Sequence, residues 1–296
     1  MDYSLTASPA LVRVANEAFV GITPEINLMR EFATDFSSEF TEPGFVVKVP
    51  VAKVEHALSA FDETTNNYET NDGTLTFVPV ELSTQIKSTF TFRGKDLLEA
   101  PNAPFWGTCG RASGNAIKQW VSKTIGGAML STVVTNTYDD LPVLSDLTLE
   151  DYANLRSECE GYIGDSVVLL APAYYNNLLS KLTNNIVGDA DPIREGKIAN
   201  LFGFKSFAQC RDMPTGVLGA IVPSDALVFA SRAVKVADEQ IYSEYGVVTE
   251  PESGLTLTLL RHGVPSIGAA ALNVATIFGY KFIQPEACTL LIENQG

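Results

Sequence analysis

Two histidines, four cysteines and a few neighbouring carboxylates are what this 296-residue chain offers to catalysis. His56 stands in a polar stretch, and His262 follows an apolar run beside Gly263. A Ser-His-Asp relay needs one of them next to an activated serine. The nearest serine candidate, Gly110-Arg111-Ala112-Ser113-Gly114, misses the G-x-S-x-G elbow by one position and leads into a helical pattern with no clear strand before it. Asp189-Ala190-Asp191 with Glu195 faintly matches a calcium loop, but Ile193 occupies the third acidic position and Arg194 the turn glycine. That stretch reads as a solvated loop, although acid clusters between subunits can hold divalent ions. Asp62-Glu63 and Asp139-Asp140 read as surface or helix-start residues, not as a paired acid and base. Cys109, Cys159, Cys210 and Cys288 lie far apart with no C-x-x-C pair, which speaks against a zinc or redox site and for buried free thiols in a reducing cytoplasm. With no Walker loop and no G-x-G-x-x-G either, no catalytic, cofactor or metal site is expected.

The elements that would have to position such residues point elsewhere. Residues 44–92 read as one long β-ribbon. In its return arm Val78, Val80, Leu82, Thr84, Ile86, Ser88, Phe90 and Phe92 alternate with polar residues and Pro79, the period of a strand with one buried face. The outgoing arm carries Phe45, Val47, Val49 and Val51, and Asn71-Asp72-Gly73 suits a tight turn between the arms. An isolated two-stranded ribbon is marginal in water. An apolar face on a projecting ribbon therefore calls for a partner, and further copies of the chain are the nearest source.

Before the ribbon, Leu11, Val14, Ala15 and Ala18 share a helical face, and Thr23-Pro24-Glu25 predicts the start of a second short helix. After it, 105–134 reads as a long helix through Ile117, Trp120, Val121, Thr124, Ile125 and Ala128, which Gly126-Gly127 should bend or weaken. From 147 onward helix and strand alternate. Thr148-Leu149-Glu150-Asp151 opens a helix expected to run through Tyr162, followed by strand 167–170, helix 172–182, a polar loop 184–196, a strand pair within 198–207, strand 217–222 and a helix over 224–234. The remainder is strand-rich and is expected to pair with the root of the ribbon.

Size and charge narrow the function classes. A chain of 31.9 kDa with 46% apolar residues buries enough surface to need no disulfide or metal staple. A net charge of −15 argues against a general nucleic-acid binder and accords with solubility. Inside this acidic chain the helix at 105–134 is cationic, with Arg111, Lys118 and Lys123 and no acid before Asp139. Three charges over a dozen residues fit a helix balancing the chain's own acids better than a nucleic-acid surface. No N-x-S/T acceptor occurs, Met1-Asp2-Tyr3-Ser4 does not open a secretory leader, and 264–280 is too short and too interrupted for a membrane span.

A family resemblance organises these pieces. Arg194-Glu195-Gly196-Lys197-Ile198 through Leu201-Phe202-Gly203-Phe204-Lys205-Ser206-Phe207 resembles the glycine-turn and strand pattern of tailed-bacteriophage major capsid proteins, roughly G-x-I-x-x-L-x-G-F-x-V. Residues 217–232 resemble the family's next strand and helix, and Phe278-Gly279-Tyr280-Lys281-Phe282-Ile283-Gln284-Pro285-Glu286-Ala287 its terminal strands. The element order fits the whole chain, whereas the likeness in sequence is confined to 194–292. The resemblance implies an α+β chain with the phage major capsid fold of the Hong Kong-type phage head, shared with encapsulins. Its parts are an N-terminal arm (1–45), an extended β-hairpin loop (46–92), a spine helix with the first part of the peripheral domain (93–143), an axial domain (144–235) and the second part of the peripheral domain (236–296).

It also implies a shell subunit forming pentamers and hexamers of an icosahedral head around double-stranded DNA, enclosed without sequence-specific binding. Asn66, Asn67, Tyr68, Asn71, Asp72 and Gly73 of the extended loop would touch a neighbour. Arg111, Lys118, Trp120, Lys123, Gly126 and Gly127 would mark the spine helix, and Asp189, Asp191 and Arg194 the loop at the capsomer axis. Expected partners are other copies, a scaffolding protein, a portal and a cement protein, with no cofactor and no membrane. The expected place is the virion, after assembly in the cytoplasm of a bacterial host. Some relatives weld subunits by a lysine–asparagine bond from the extended loop. No lysine lies between Val54 and Ile86 here, so noncovalent contacts or a cement protein are expected to hold the shell. An encapsulin-type compartment and, further off, a soluble acidic α+β enzyme are the alternatives.

Overall fold

The computed structural model describes residues 9–35, 46–54, 73–93, 103–130, 133–159, 163–185, 197–224, 226–234, 241–249 and 255–292. Helix α1 (Pro9–Phe32) leads into a short strand, β1 (Ala33–Asp35), and the ribbon is built from β2 (Val46–Val54) and β3 (Gly73–Glu81). After a break at Leu82 and Ser83 comes β4 (Thr84–Arg93), then the long helix α2 (Ala103–Leu130) and β5 (Asn136–Tyr138). A block of α3 (Leu149–Asn154), β6 (Ser166–Leu170), α4 (Pro172–Asn185), β7 (Lys197–Ala199), β8 (Ser206–Gln209) and β9 (Val217–Pro223) follows. The chain finishes through β10 (Leu227–Arg232), β11 (Glu244–Thr249), β12 (Thr256–Val264), β13 (Ala269–Phe282) and β14 (Thr289–Ile292).

Two six-stranded sheets organise these elements. In the first, β13 is the backbone of the layer. It pairs antiparallel with β4, β12 and β10; β11 extends the sheet beyond β12, and β1 lies parallel to β10. The expected pairing of the late strands with the ribbon's root is therefore present in the β4–β13 ladder. The second sheet has the order β5-β14-β9-β6-β8-β7. Its central strands are apolar on both faces because both are covered: Val167 and Leu169 join the main core, Val168 and Leu170 the core under α3 and α4. The main core lies between α1, α2 and the inner face of the first sheet, where Leu272, Val274, Phe278 and Phe282 of β13 meet Val14, Ala18 and Ile117.

Three local expectations need correction. The helix expected over 224–234 is strand β10. Ala226-Leu227-Val228-Phe229-Ala230 is apolar without interruption, a pattern that periodicity alone cannot assign. Leu227 and Phe229 face the main core while Val228 and Ala230 face the ribbon's root, so both sides of a strand are used. The two short helices expected at the start are one, because Pro24 lies within α1 without ending it. The Thr23 hydroxyl donates to Phe19 O at 2.7 Å within the turn that the proline weakens. The helix expected to reach Tyr162 ends its α-helical part at Asn154 and tightens to a 3₁₀ turn over Leu155–Glu158. There Ser157 Oγ donates to Asn154 O at 2.7 Å, and Leu155 turns into the core.

The start of α3 is as the sequence predicts. Thr148 accepts from Asp151 N through its side chain, and the Asp151 carboxylate accepts from Thr148 N at 2.6 Å, a reciprocal cap. Thr148→Ala is expected to lower stability by about 1 kcal/mol, read as a shifted denaturant midpoint with unchanged slope.

Candidate functional site

The described residues contain no convergent chemistry. His262 Nδ1 on β12 lies 3.4 Å from Asn273 Nδ2, and Thr89 Oγ1 donates to Asn273 Oδ1 at 2.6 Å. The Tyr242 ring meets the imidazole edge-on at 5.8 Å. These groups line a shallow trough of about 410 Å³ on the outer face of the first sheet, and among the described residues its lining includes no serine, cysteine or carboxylate for the histidine to activate. Burial raises the thiols of Cys109 and Cys288, the latter up to about 12 with help from Glu286, so neither is poised as a thiolate. Among the described residues no group of three or more His, Cys, Asp or Glu side chains could hold a metal ion. No helix among them is long and apolar enough to cross a membrane. His56 and the pair Asp62-Glu63 lie outside the described residues, as do Asp189, Asp191, Arg194 and Glu195.

The serine candidate has another use. Gly110 and Gly114 of α2 lie against Val14 and Ala18 of α1 so closely that a methyl group at either glycine would overlap the Val14 or Ala18 carbonyl oxygen. The spacing of four residues on each helix puts both contacts on one line, and the helices run in the same direction along it. Ser113, buried beside these glycines, belongs to a helix–helix seam and not to a strand-to-helix elbow. Small residues here were legible in the sequence; that they face a second helix was not.

The helix residues singled out above fall on two sides of α2. Trp120 points inward, edge-on to Phe278 of β13 with centroids 6.2 Å apart. Arg111 and Lys123 are exposed, and Arg111 Nη2 pairs with Glu17 Oε2 at 2.8 Å, so part of the cationic face does balance an acid of the same chain. Neither glycine of the Gly126-Gly127 pair interrupts α2, which is continuous over 28 residues. Gly126 is buried where the Asp212 carbonyl of the β8–β9 connection comes too near for any side chain, while Gly127 faces open space. Gly126 is thus a point of close approach between α2 and the connection leading into the second sheet.

The ribbon has two unlike faces. At its root, Val49, Val80 and Leu82 are buried against Val228, Ala230, Ala275 and Ile277 of the first sheet and Val234 just after β10. Lys281 Nζ donates to Pro79 O at 3.0 Å, and the absence of a side chain at Gly279 admits the Glu81 carbonyl. On the opposite face, Val46 is 48% and Phe77 60% exposed, next to Pro50 and Pro79 in the strand register. Among the described residues β2 and β3 pair only with each other. Of the extended-loop residues, Gly73 opens β3; Asn66, Asn67, Tyr68, Asn71 and Asp72 lie outside the described residues. The β7–β8 turn that carries the family-like glycine is left-handed at Asn200, Phe202 and Gly203 (φ 53°, 53° and 88°), and both Phe202 and Phe204 pack edge-on against Phe207.

No protein-family model matches the chain, and no curated protein does. Solved structures do. A chain of the capsid of cyanophage P-SCSP1u superposes with a TM-score of 0.56 at 13% identity, over 88% of this chain and 86% of that one. A chain from Mycobacterium phage Che8 matches with a TM-score of 0.54 at 14% identity, over 90% of both. A virus-like particle from Pyrococcus furiosus matches with a TM-score of 0.56 at 13% identity, over 95% of this chain and 98% of its own. Coverage of nearly the whole length on each side leaves no large domain unmatched, and the mixed α+β chain has the fold of these capsid and particle subunits.

Proposed function

We propose that the chain is a structural shell subunit, a major capsid protein of the tailed-phage type, and not an enzyme. The observation that carries this is the ribbon: a two-stranded element anchored at its root, with Phe77 and Val46 exposed on the face turned away from its own body. Such a face reaches low free energy when sister subunits cover it. In this reading β2–β3 is the extended loop that lies on a neighbour and α2 the spine helix; the first sheet belongs to the peripheral domain, which takes β10 from the expected axial span of 144–235, and the second sheet to the axial domain, which takes β5 and β14 from the expected peripheral spans. Pentamers and hexamers then close an icosahedral head around double-stranded DNA, with scaffolding, portal and cement proteins as partners in a bacterial cytoplasm and the virion as the final place. Each subunit contributes interfaces on the order of 2,000 Å². Pro50 and Pro79 cannot donate to a ladder and protect the ribbon's strands from pairing with a wrong edge.

Negative-stain electron microscopy of the purified chain tests the reading. Closed particles of uniform diameter are expected; a monomer at all concentrations and salt conditions overturns it. A compartment that encloses protein instead of genome is the second reading, because the virus-like particle from Pyrococcus furiosus shares the fold at the same TM-score as the cyanophage capsid. Particle contents, nucleic acid or protein, separate the two.

A further inference from the structure

The acidity of the chain is not spread evenly. Helices α1 and α2 together hold five cations and three acids, and α2 alone holds three cations and no acid; the rest of the chain holds fifteen cations against thirty-two acids. The two helices lie side by side, and their outer surface joins Arg13 of α1 to a stripe on α2. Arg111, Asn115, Gln119 and Lys123 recur every fourth residue along that stripe and are all exposed. It is about 18 Å long at 1.5 Å per residue. Between the helices a groove of about 490 Å³ is bordered by Arg13, Thr108, Arg111 and Asn115. Glu17, paired with Arg111, is the acid inside it.

We infer that this two-helix face is where the subunit meets the phosphate backbone of the nucleic acid it encloses, an inference that rests on the shell reading above. The chemistry of the face selects this occupant over an acidic protein. A protein interface draws its affinity from a few large apolar or aromatic anchors. Here both tryptophans of α2 pack against the subunit's own core, Trp106 edge-on to Phe92 and Trp120 edge-on to Phe278, and Val20 is the large apolar side chain exposed on the described part of α1. Guanidinium, ammonium, amide and hydroxyl groups over small residues are what a sugar–phosphate backbone requires, and they carry no sequence information. Three cations per subunit give weak binding alone, and repetition over a closed shell makes it cumulative. The acids elsewhere keep the remaining surfaces from competing for the same polyanion.

Fluorescence anisotropy of a 20-base-pair random duplex, titrated with the full chain below its assembly concentration, tests this. The expected result at 50 mM salt is measurable binding whose log–log salt slope is about −2 or steeper, as for neutralising roughly three phosphates. The double variant Arg13→Glu with Lys123→Glu should flatten that slope by about 1.8 and weaken binding at least about tenfold. Lys87→Glu, in the trough on the opposite face of the first sheet, should leave both unchanged. No binding at 50 mM salt, or equal loss from Lys87→Glu, overturns the inference. So does charge-for-charge displacement of the duplex by polyglutamate, which would assign the face to an acidic protein. Particle formation is read separately by microscopy. Shells without duplex binding sink this inference alone, and binding without shells sinks only the reading it rests on.

Discussion

Alanine at Gly126 is expected to lower the unfolding midpoint of the unassembled chain by roughly 2–8 °C, while alanine one residue later, at Gly127, raises it by about 2 °C. The two glycines share a helix, a sequence context and a propensity penalty, and differ in what lies outside them. At Gly127 a methyl group meets nothing within 4 Å, so the substitution only removes the entropic cost of glycine in a helix, worth up to about 1 kcal/mol. At Gly126 the same gain is opposed by overlap with the Asp212 carbonyl oxygen, a backbone atom that cannot rotate away. Relief means displacing either α2 or the connection that leads to β9, next to Met213 at the edge of the main core. Overpacking of this kind costs about 1–3 kcal/mol, and roughly 2–4 °C accompanies each kilocalorie in a chain of this size. Calorimetry on both variants checks the pair; equal shifts of the same sign would show that Gly126 is a flexible joint after all.

That contrast also marks where the sequence stopped being informative. The long helix, the ribbon strands and the capped start of α3 were legible because each is specified locally, by a period or by a side chain returning to its own backbone. The ladder between β4 and β13 was legible in outline, since an alternating strand and an apolar terminal strand each lack a partner nearby. What could not be read is whatever depends on a distant surface. Gly110, Gly114, Gly126 and Gly279 look alike in sequence, yet each is there because a different carbonyl approaches it. Ala226 to Ala230 is apolar in every residue, and only the presence of cores on both sides makes it a strand. The candidate chemistry failed for the complementary reason. His262 and Asn273 lie eleven residues apart in sequence and meet diagonally across neighbouring strands, so a histidine that looked available contacts a residue of the sheet and no catalytic partner.

Phe77→Glu is expected to abolish particles while leaving the subunit folded. The phenyl ring stands on the outer face of the ribbon, 60% exposed, opposite Pro50 in the strand pairing and on the side of the strands away from the root contacts. Nothing in the subunit's own core depends on it, because the residues that anchor the ribbon, Val49, Val80 and Leu82, point the other way. The change should therefore move the unfolding midpoint of the unassembled chain by no more than about 1–2 °C, as for a surface substitution. Assembly is a different matter. Covering an exposed phenylalanine stabilises each contact by about 1.5–3 kcal/mol, and placing a carboxylate there without a partner adds a desolvation penalty at every copy. Because a closed shell repeats the contact through all its subunits, a loss of this size per contact raises the concentration needed for assembly by well over about tenfold. Light scattering and electron microscopy read the loss of particles, and circular dichroism reads the retained fold. Phe77→Leu, which keeps most of the apolar surface, should restore particles. If Phe77→Glu assembles as well as the parent chain, this face of the ribbon is not where sister subunits meet, and the contact that closes the shell lies elsewhere on the molecule.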